Sequence, residues 1–437
     1  MAPGWNEFNR IEAHRDFSIS RRLFRTLNAS SERVFTLRAE AGASWSVESK
    51  PEWITVEPSF GNGKTDITVT VSELPVGQGK RTGEIVYCLD GKNYRSTTYV
   101  EQYDYSYGDG DVIVNQTHST GNGIPIVFMG DCFDSKDISE GAYLSMANEA
   151  IGHFFDIEPY KTYRDYFDVY TIFGLSQDSG VGNTSQVKEA CFGSQYTLEG
   201  GLTPDLEKCK EYAKKAVGDN LEHTLVVLLL NTSDYGGITF MCEDGFAVAV
   251  CPNSQDDYPY DFRGLVQNEA GGHGFGKLAD EYIYHVAFIQ SCGCPCCGHT
   301  ESFNYGKSFG WYDNLSLNGD IKTVPWSHMI SDPDYSDVVD IFEGGYFHSR
   351  GVFRSEENSC MNNNIPYFSS ISRESIVRRI MEYAGESFSY ESFKAKDIKT
   401  GAPSLAPATK SWPYTTSFPK HTQYAPVIIS NDNFNKR

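Results

Sequence analysis

Arg263–Tyr284, RGLVQNEAGGHGFGKLADEYIY, carries the densest chemistry in the chain. Side chains four apart share one helix face, so a His-Glu-x-x-His pair sets two imidazoles on a single metal while the Glu between them handles protons. Here that pattern is echoed and broken. His273 is followed by Gly274, Gly276, Asp280, Glu281 and Tyr282: one imidazole, a glycine bend, then adjacent carboxylates able to return a ligand to the same metal. Four residues before His273 stands Glu269, followed by Ala270, whereas the dipeptide that matches His-Glu is Asn268-Glu269, five residues back. An i, i+5 pair meets on one face when the helix carries a π-bulge, and Gly271-Gly272 is the expected place for it. On that register Asn268 stands at the first ligand position and Glu269 at that of the general base.

Outward from this stretch, composition sets the bounds. A chain of 437 residues accommodates two or three domains with a sizeable core, and an aromatic content of 14% excludes a disordered polymer. The formal charge of -21 excludes nucleic acid and anionic lipid as partners, since both demand an excess of Lys and Arg. No apolar run reaches the roughly eighteen residues of a membrane span; TLVVLLLN from Thr224 reads as a buried strand. The opening MAPGWNEFNR lacks the basic segment and apolar core of an export signal. Eleven cysteines, with Cys292, Cys294, Cys296 and Cys297 crowded into SCGCPCCGH, suit an oxidising compartment. Disulfides are favoured there over a zinc site that would recruit His299, because such sites come as two separated pairs. The expected location is therefore secreted, periplasmic or cell-surface, and export would make the sequence a processed or trimmed form.

Along the chain, residues 1–30 read as a polar lead-in. Residues 31–105 hold short alternating runs (VFTLRA, SWSVES, WITVEP, TDITVTVS, GEIVYCL, YRSTTYVEQ) separated by turn residues, which predicts an all-β, immunoglobulin-like sandwich. Beyond a Gly/Asp-rich joint, strands are expected at IPIVFMGDCFD, Asp168–Phe173, TLVVLLLN and FAVAVCP, and helices at Ser139–Phe155, Pro204–Val217 and Ser372–Ala384. His153 is read as a helix-end residue, and the Ser372 helix as half-solvated. Strands with interspersed helices over 106–395 imply an α/β layer arrangement. Residues 396–437 form a Pro/Ser/Thr-rich tail expected to be extended.

Two resemblances add to this. HGFGKLADEY, RSEENSCMNNNIPYFSSISRESIVRRI and IVFMGDCFD resemble the IgA-peptidase family of zinc metallopeptidases, across most of residues 106–395. The resemblance implies a zincin-like α/β metallopeptidase domain with a zinc cofactor, His273 as a His ligand, Asp280 as the carboxylate ligand and Glu269 as the base. Asn268 departs from the pattern, and an amide oxygen is a poorer zinc ligand than imidazole. Glu281 is expected to orient His273 through its free ring nitrogen, with Tyr282 doing the same or packing. The Ser359-Cys360-Met361-Asn362 turn is similar to a methionine turn, with Met361 as the floor beneath the metal. Tyr346 and His348 are candidates for oxyanion stabilisation, and GFAVAV is the expected cleft-side strand on which a peptide is held by strand addition. Trp45, Pro51-Glu52-Trp53-Ile54, Pro58, Gly61, Gly63, Arg81, Gly83 and Val100-Glu101-Gln102 resemble the BACON domain, which is associated with carbohydrate or mucin binding. Trp45 and Trp53 could stack on sugar rings, though core packing is the stronger expectation for both.

Three functions from different classes stay open at this point. One is an extracellular zinc peptidase cutting a protein or peptide, with Asn268 weakening its metal. Another is an inactive relative that binds protein without cutting it, and the third is a glycan or mucin adhesin acting through residues 31–105.

Overall fold

A computed structural model describes residues 17–198, 200–291, 300–399 and 424–430. The Cys292–Cys297 cluster and most of the tail lie outside the described residues. Two compact units divide the chain: residues through Asp109 with Asp134–Ala142, and Gly110–Phe133 with Tyr143 onward.

The first unit contains a four-stranded and a five-stranded sheet whose inward residues share one apolar cluster that includes Phe24, Phe35, Trp45, Ile67, Ile85 and Val100. Period-2 alternation is what makes this legible: along Thr65–Val71, Ile67, Val69 and Val71 are buried while the residues between them are not. Phe17–Ile19 and Leu23–Leu27, in the segment expected to be a lead-in, are strands paired with Ser31–Ala39 and Arg95–Tyr103. Trp45 has no exposed surface, and its ring lies so close to Gly61 that a Cβ there would stand 2.7 Å away. Trp53 is covered on one side by the Arg81 guanidinium, 4.4 Å from its ring centroid, and a Cβ on Gly83 would lie 2.9 Å from the ring. Trp45 is thus spent on packing, while Trp53 stays half-buried beneath Arg81.

The second unit is organised by a seven-stranded sheet. In chain order its strands are β1 (Val112–Gln116), β2 (Ile124–Asp131), β3 (Phe167–Ile172), β4 (Leu225–Leu230), β5 (Ile238–Cys242), β6 (Ala247–Pro252) and β7 (Val427–Ile429). Their order across the sheet is β1-β3-β2-β4-β6-β5-β7. The central strands β3, β2, β4 and β6 are parallel, while β1 and β5 run antiparallel to their inner neighbours. Parallel strands are covered on both faces, which is why β4 reads as the unbroken run LVVLLL and is buried at every position. Helix α1 (Ala142–Phe155) buries the expected stripe of Tyr143, Met146, Ala150 and Phe154, and α2 (Leu206–Val217) starts where the Asp205 side chain accepts from the Lys208 amide.

Two expectations are corrected here. The helix α3 (Ser370–Tyr383) is not half-solvated: ten of its residues are buried. They include Arg373, whose guanidinium charge is met by Asp397 at 2.7 and 2.8 Å. The GFAVAV strand is not at the cleft edge either, because β6 is hydrogen-bonded on both sides, to β4 and to β5. Apolar periodicity gives the same signal for an inner strand and for an edge strand whose outer side is covered. The seven described cysteines outside the cluster are free thiols, and all but Cys88 are buried, where they pack as small apolar side chains.

Candidate active site

The chain enters the site through a short helical turn, Phe262–Leu265, capped by Asp261, whose carboxylate accepts from the Gly264 amide. It then continues as a π-helix over Val266–Phe275. The expected single bulge is therefore a π pitch held through ten residues. This pitch brings residues four and five apart onto one face, so Glu269 and Asn268 both stand on the side of His273. All ten residues are buried. Such close surroundings explain the glycines: a Cβ on Gly272 would meet Met361 Sδ at 2.2 Å, and one on Gly274 would meet Leu225 Cδ1 at 2.6 Å. Gln267 donates to the His153 carbonyl at 3.1 Å, tying the helix to the end of α1.

His273 is fixed at both ring nitrogens. Nδ1 lies 2.8 Å from the Leu278 carbonyl, an oxygen that can only accept, so Nδ1 carries a proton there. Nε2 faces Asp280 Oδ1 at 3.0 Å. Burial alone would depress the imidazole pKa, but the facing Asp280 carboxylate outweighs it and holds the group up at about 9. The other carboxylate oxygen, Asp280 Oδ2, is buried without a hydrogen-bond partner. Glu269 is wholly buried, and burial pushes its pKa up to about 7 against the opposing pull of His273. Its Oε2 accepts from Thr239 Oγ1 at 2.7 Å, and its Oε1 lies against the Gly237 backbone, 2.6 Å from where a Cβ would be. Tyr282, also buried, has its hydroxyl in the field of Asp280 and Glu269, which along with burial raises its pKa well above the usual value.

Residues 112–290 match the IgA peptidase M64 family. The matched stretch contains the π-helix, His273, Asp280 and Tyr282, and ends before Met361. Residues 43–102 match BACON, an N-terminal domain whose binding role is an assignment. No curated protein matches the chain. Among solved structures the chain is similar to a Vibrio cholerae VesB protease at 11% identity, covering 20% of this chain and 32% of that one, with a TM-score of 0.16. It is also similar to a Bacteroides ovatus GH5 xyloglucanase in complex with a XXXG heptasaccharide, at 14% identity, 48% and 44% coverage and a TM-score of 0.19. The chain spans less than half the length of both, and scores this low carry no argument about fold or function.

In the matched stretch, a metal can be tested against the donors present. Nε2 of His273 and Oδ1 of Asp280 are 3.0 Å apart, close to the roughly 3.3 Å edge of a tetrahedron with about 2.0 Å bonds. Two acceptors that close require a proton or a cation between them, and Asp280 Oδ2 has spare capacity. Asn268 donates its amide nitrogen to the Cys360 carbonyl at 3.1 Å, so its oxygen is the end left over as a donor to metal. Among the described residues no cluster of three or more His, Cys, Asp or Glu is assembled. The donors fit zinc at two corners, with the Asn268 amide as the third candidate.

The remaining sequence-predicted residues fall on both sides of expectation. Glu281 does not orient His273: its carboxylate accepts from Asn314 Nδ2 at 2.9 Å and Ser359 Oγ at 2.5 Å, and the Leu278 carbonyl has the place at Nδ1. Neighbours on an extended segment point to opposite sides, so Asp280 faces the imidazole and Glu281 the turn at Ser359. Met361 does lie under the π-helix, with Sδ 3.9 Å from Asn268 Nδ2, and its carbonyl accepts from the Glu281 amide. Tyr346 packs its ring among Phe303, Tyr312 and Phe347, while its amide holds the Asp280 carbonyl at 2.9 Å. His348 is buried with Nδ1 donating to the Tyr346 carbonyl at 2.5 Å. Through these bonds both brace the segment carrying Asp280. Thr239, Gly237, Asn314 and Ser359 escaped the sequence because each meets its partner across thirty or more positions.

Proposed function

We infer that the second unit is a zinc-dependent peptidase, hydrolysing peptide bonds of an extracellular protein or peptide. The observation that carries this is His273 Nε2 facing Asp280 Oδ1 at 3.0 Å beside the buried Glu269 carboxylate. His273 and Asp280 would hold the metal, with the Asn268 oxygen as third donor. Zinc so bound supplies a water of lowered pKa and polarises the scissile carbonyl. Glu269, poised between its two protonation states near neutral pH, accepts the proton of the attacking water and delivers it to the leaving amine. Thr239 fixes which carboxylate oxygen faces the substrate. Leu278 holds the imidazole tautomer, a role whose loss typically lowers metal affinity about 10–100-fold.

A binding-only role is the second reading, favoured by one observation: two charged or imidazole donors, His273 and Asp280, converge where a tight zinc site uses three. Secretion is supported by the BACON match, and no described helix is long and apolar enough to cross a membrane. Glycan binding by the sandwich has less support, since Trp45 is buried and Trp53 is covered by Arg81. The deciding experiment combines elemental analysis with casein cleavage. Stoichiometric zinc and chelator-sensitive cleavage are expected; intact casein from a zinc-loaded protein leaves the binding-only reading.

A further inference from the structure

The second unit holds a cavity of about 380 Å³ that none of the candidate metal donors lines. Its walls come from the residues just before β4, the turn between β5 and β6, the stretch 309–313 and the last turns of α3. Aromatic rings shape it: Trp311 is buried, and Phe309 lies 4.9 Å from it between centroids. On the opposite wall the His223 ring stacks on Tyr383 at 3.7 Å. Carboxylates stand in the walls as well. Glu243 and Asp313 are engaged by Tyr305 and Lys307, whereas Asp244 and Glu382 are exposed.

The cations around this cavity lack counter-charges. Arg379, half-buried in the wall, donates through Nη1 to the Tyr383 hydroxyl at 3.1 Å, while its Nε has no partner. Lys277 lies behind the wall, 1% exposed, with Nζ 5.3 Å from the Trp311 centroid and without a hydrogen-bond partner. Burial and the Arg379 charge pull its pKa down to about 7, a fall that Cys242 and Asp244 offset only in part. The backbone there is costly too: φ is +52°, in the left-handed region that favours glycine. A buried ammonium with no partner is unfavourable, and an anion held against Arg379 is the compensating charge that the described residues do not supply.

We propose that this cavity is a second ligand site, separate from the metal donors, which takes a free aromatic amino acid as its zwitterion. The carboxylate lies on Arg379 in the field of Lys277, the ammonium faces Asp244 and Glu382, and the side chain packs against Phe309 and Trp311. A guanidinium matches a carboxylate in geometry and charge. The exposed carboxylates disfavour a multiply charged anion such as phosphate, just as Arg379 and Lys277 disfavour a simple cation. A zwitterion satisfies both signs at once, and ring faces suit an aromatic side chain. The cavity is of the size that small-molecule sites occupy. Binding there calls on neither metal nor turnover, so it stands or falls independently of the peptidase reading.

The test is calorimetric titration of the full chain, in the presence of chelator, with three probes: L-phenylalanine, 2-phenylethylamine, which lacks the carboxylate, and 3-phenylpropionate, which lacks the ammonium. Phenylalanine should bind one to one, and each truncated probe about tenfold more weakly or worse, the effect of one lost charge-assisted hydrogen bond. Arg379→Gln should weaken phenylalanine by about tenfold with the parental thermal midpoint retained. Lys277→Met should weaken it by about threefold or more through loss of the field. The same substitution should leave the midpoint of the ligand-free protein unchanged or higher, because it removes an unpaired buried charge. No phenylalanine binding by the folded chain, equal affinity for all three probes, or full affinity in folded Arg379→Gln overturns the site. Phenylpropionate binding as tightly as phenylalanine overturns the zwitterion. A lowered midpoint with unchanged affinity in Lys277→Met shows that Lys277 serves packing and overturns its part in the site.

Discussion

The sandwich and the π-helix are both thoroughly buried, but they bury opposite things. In the first unit, the inward positions are Phe24, Phe35, Trp45, Ile67 and Val69, and polar groups such as Glu101 stay half-buried among Arg25, Lys80 and Tyr103. In the second, Gln267, Asn268, Glu269, His273, Lys277, Asp280 and Glu281 are all at most 5% exposed within fifteen residues of sequence. Apolar burial stabilises, by about 1.5–3 kcal/mol for a large side chain, whereas burying an ionisable group costs unless it is paired. A fold that accepts that cost repeatedly along one short stretch marks it as the candidate site.

The largest expected effects break the comparison from each side. Glu269→Gln should lower kcat by about 10²–10⁴ while leaving the urea midpoint unchanged or higher, since it removes a buried charge. A matching fall in stability would mean that Glu269 serves packing. In the sandwich the order reverses: Trp45→Ala should cost about 3–5 kcal/mol of unfolding free energy in urea titration. A cost below about 1 kcal/mol would show that Trp45 is not the core residue its burial implies.

Smaller effects sharpen the contrast. Asn268→His, if the π register makes residue 268 a ligand position, should raise zinc affinity by about tenfold in a competitive chelator titration. No change in affinity or activity would count against the register.

The pH dependence should be the subtlest difference, and of opposite sign in the two regions. Glu269 is raised from 4.5 to about 7, so its contribution in metal-free protein is fully present below about pH 4.5 and lost as pH rises through about 7. Glu101 feels a burial penalty but is lowered to about 2 by Arg25, Lys80 and Tyr103, so its contribution is present above about pH 4.5 and lost as pH falls towards 2. Residue-resolved hydrogen exchange from pH 4 to 7 should therefore show the π-helix loosening while Arg95–Tyr103 does not. Parallel changes in both would remove the distinction.

How much of this could be read beforehand divides along the same line. The sandwich strands were legible because alternation with period 2 survives in a half-covered sheet; the exception was Phe17–Leu27, whose short runs FSI and LFRTL are too brief to show a period. His273 and Asp280 were legible because a glycine bend between an imidazole and a carboxylate is a local feature. The π-helix was only partly so: the five-residue spacing asked for one bulge, and tight packing against Leu225, Tyr160 and Met361 accompanies a π pitch throughout.

By itself the sequence determined which segments alternate, which are apolar throughout, and which few residues bring an imidazole and several carboxylates within one short stretch. Tertiary structure alone decided that Leu278 and not Glu281 orients the imidazole, that Thr239 holds Glu269, and that β5, paired with β7, lies beside that carboxylate. The physical reason is that periodicity records how buried a side chain is, whereas a hydrogen-bond partner or a neighbouring strand is set by chain crossings many residues away. Those crossings leave no mark on local spacing.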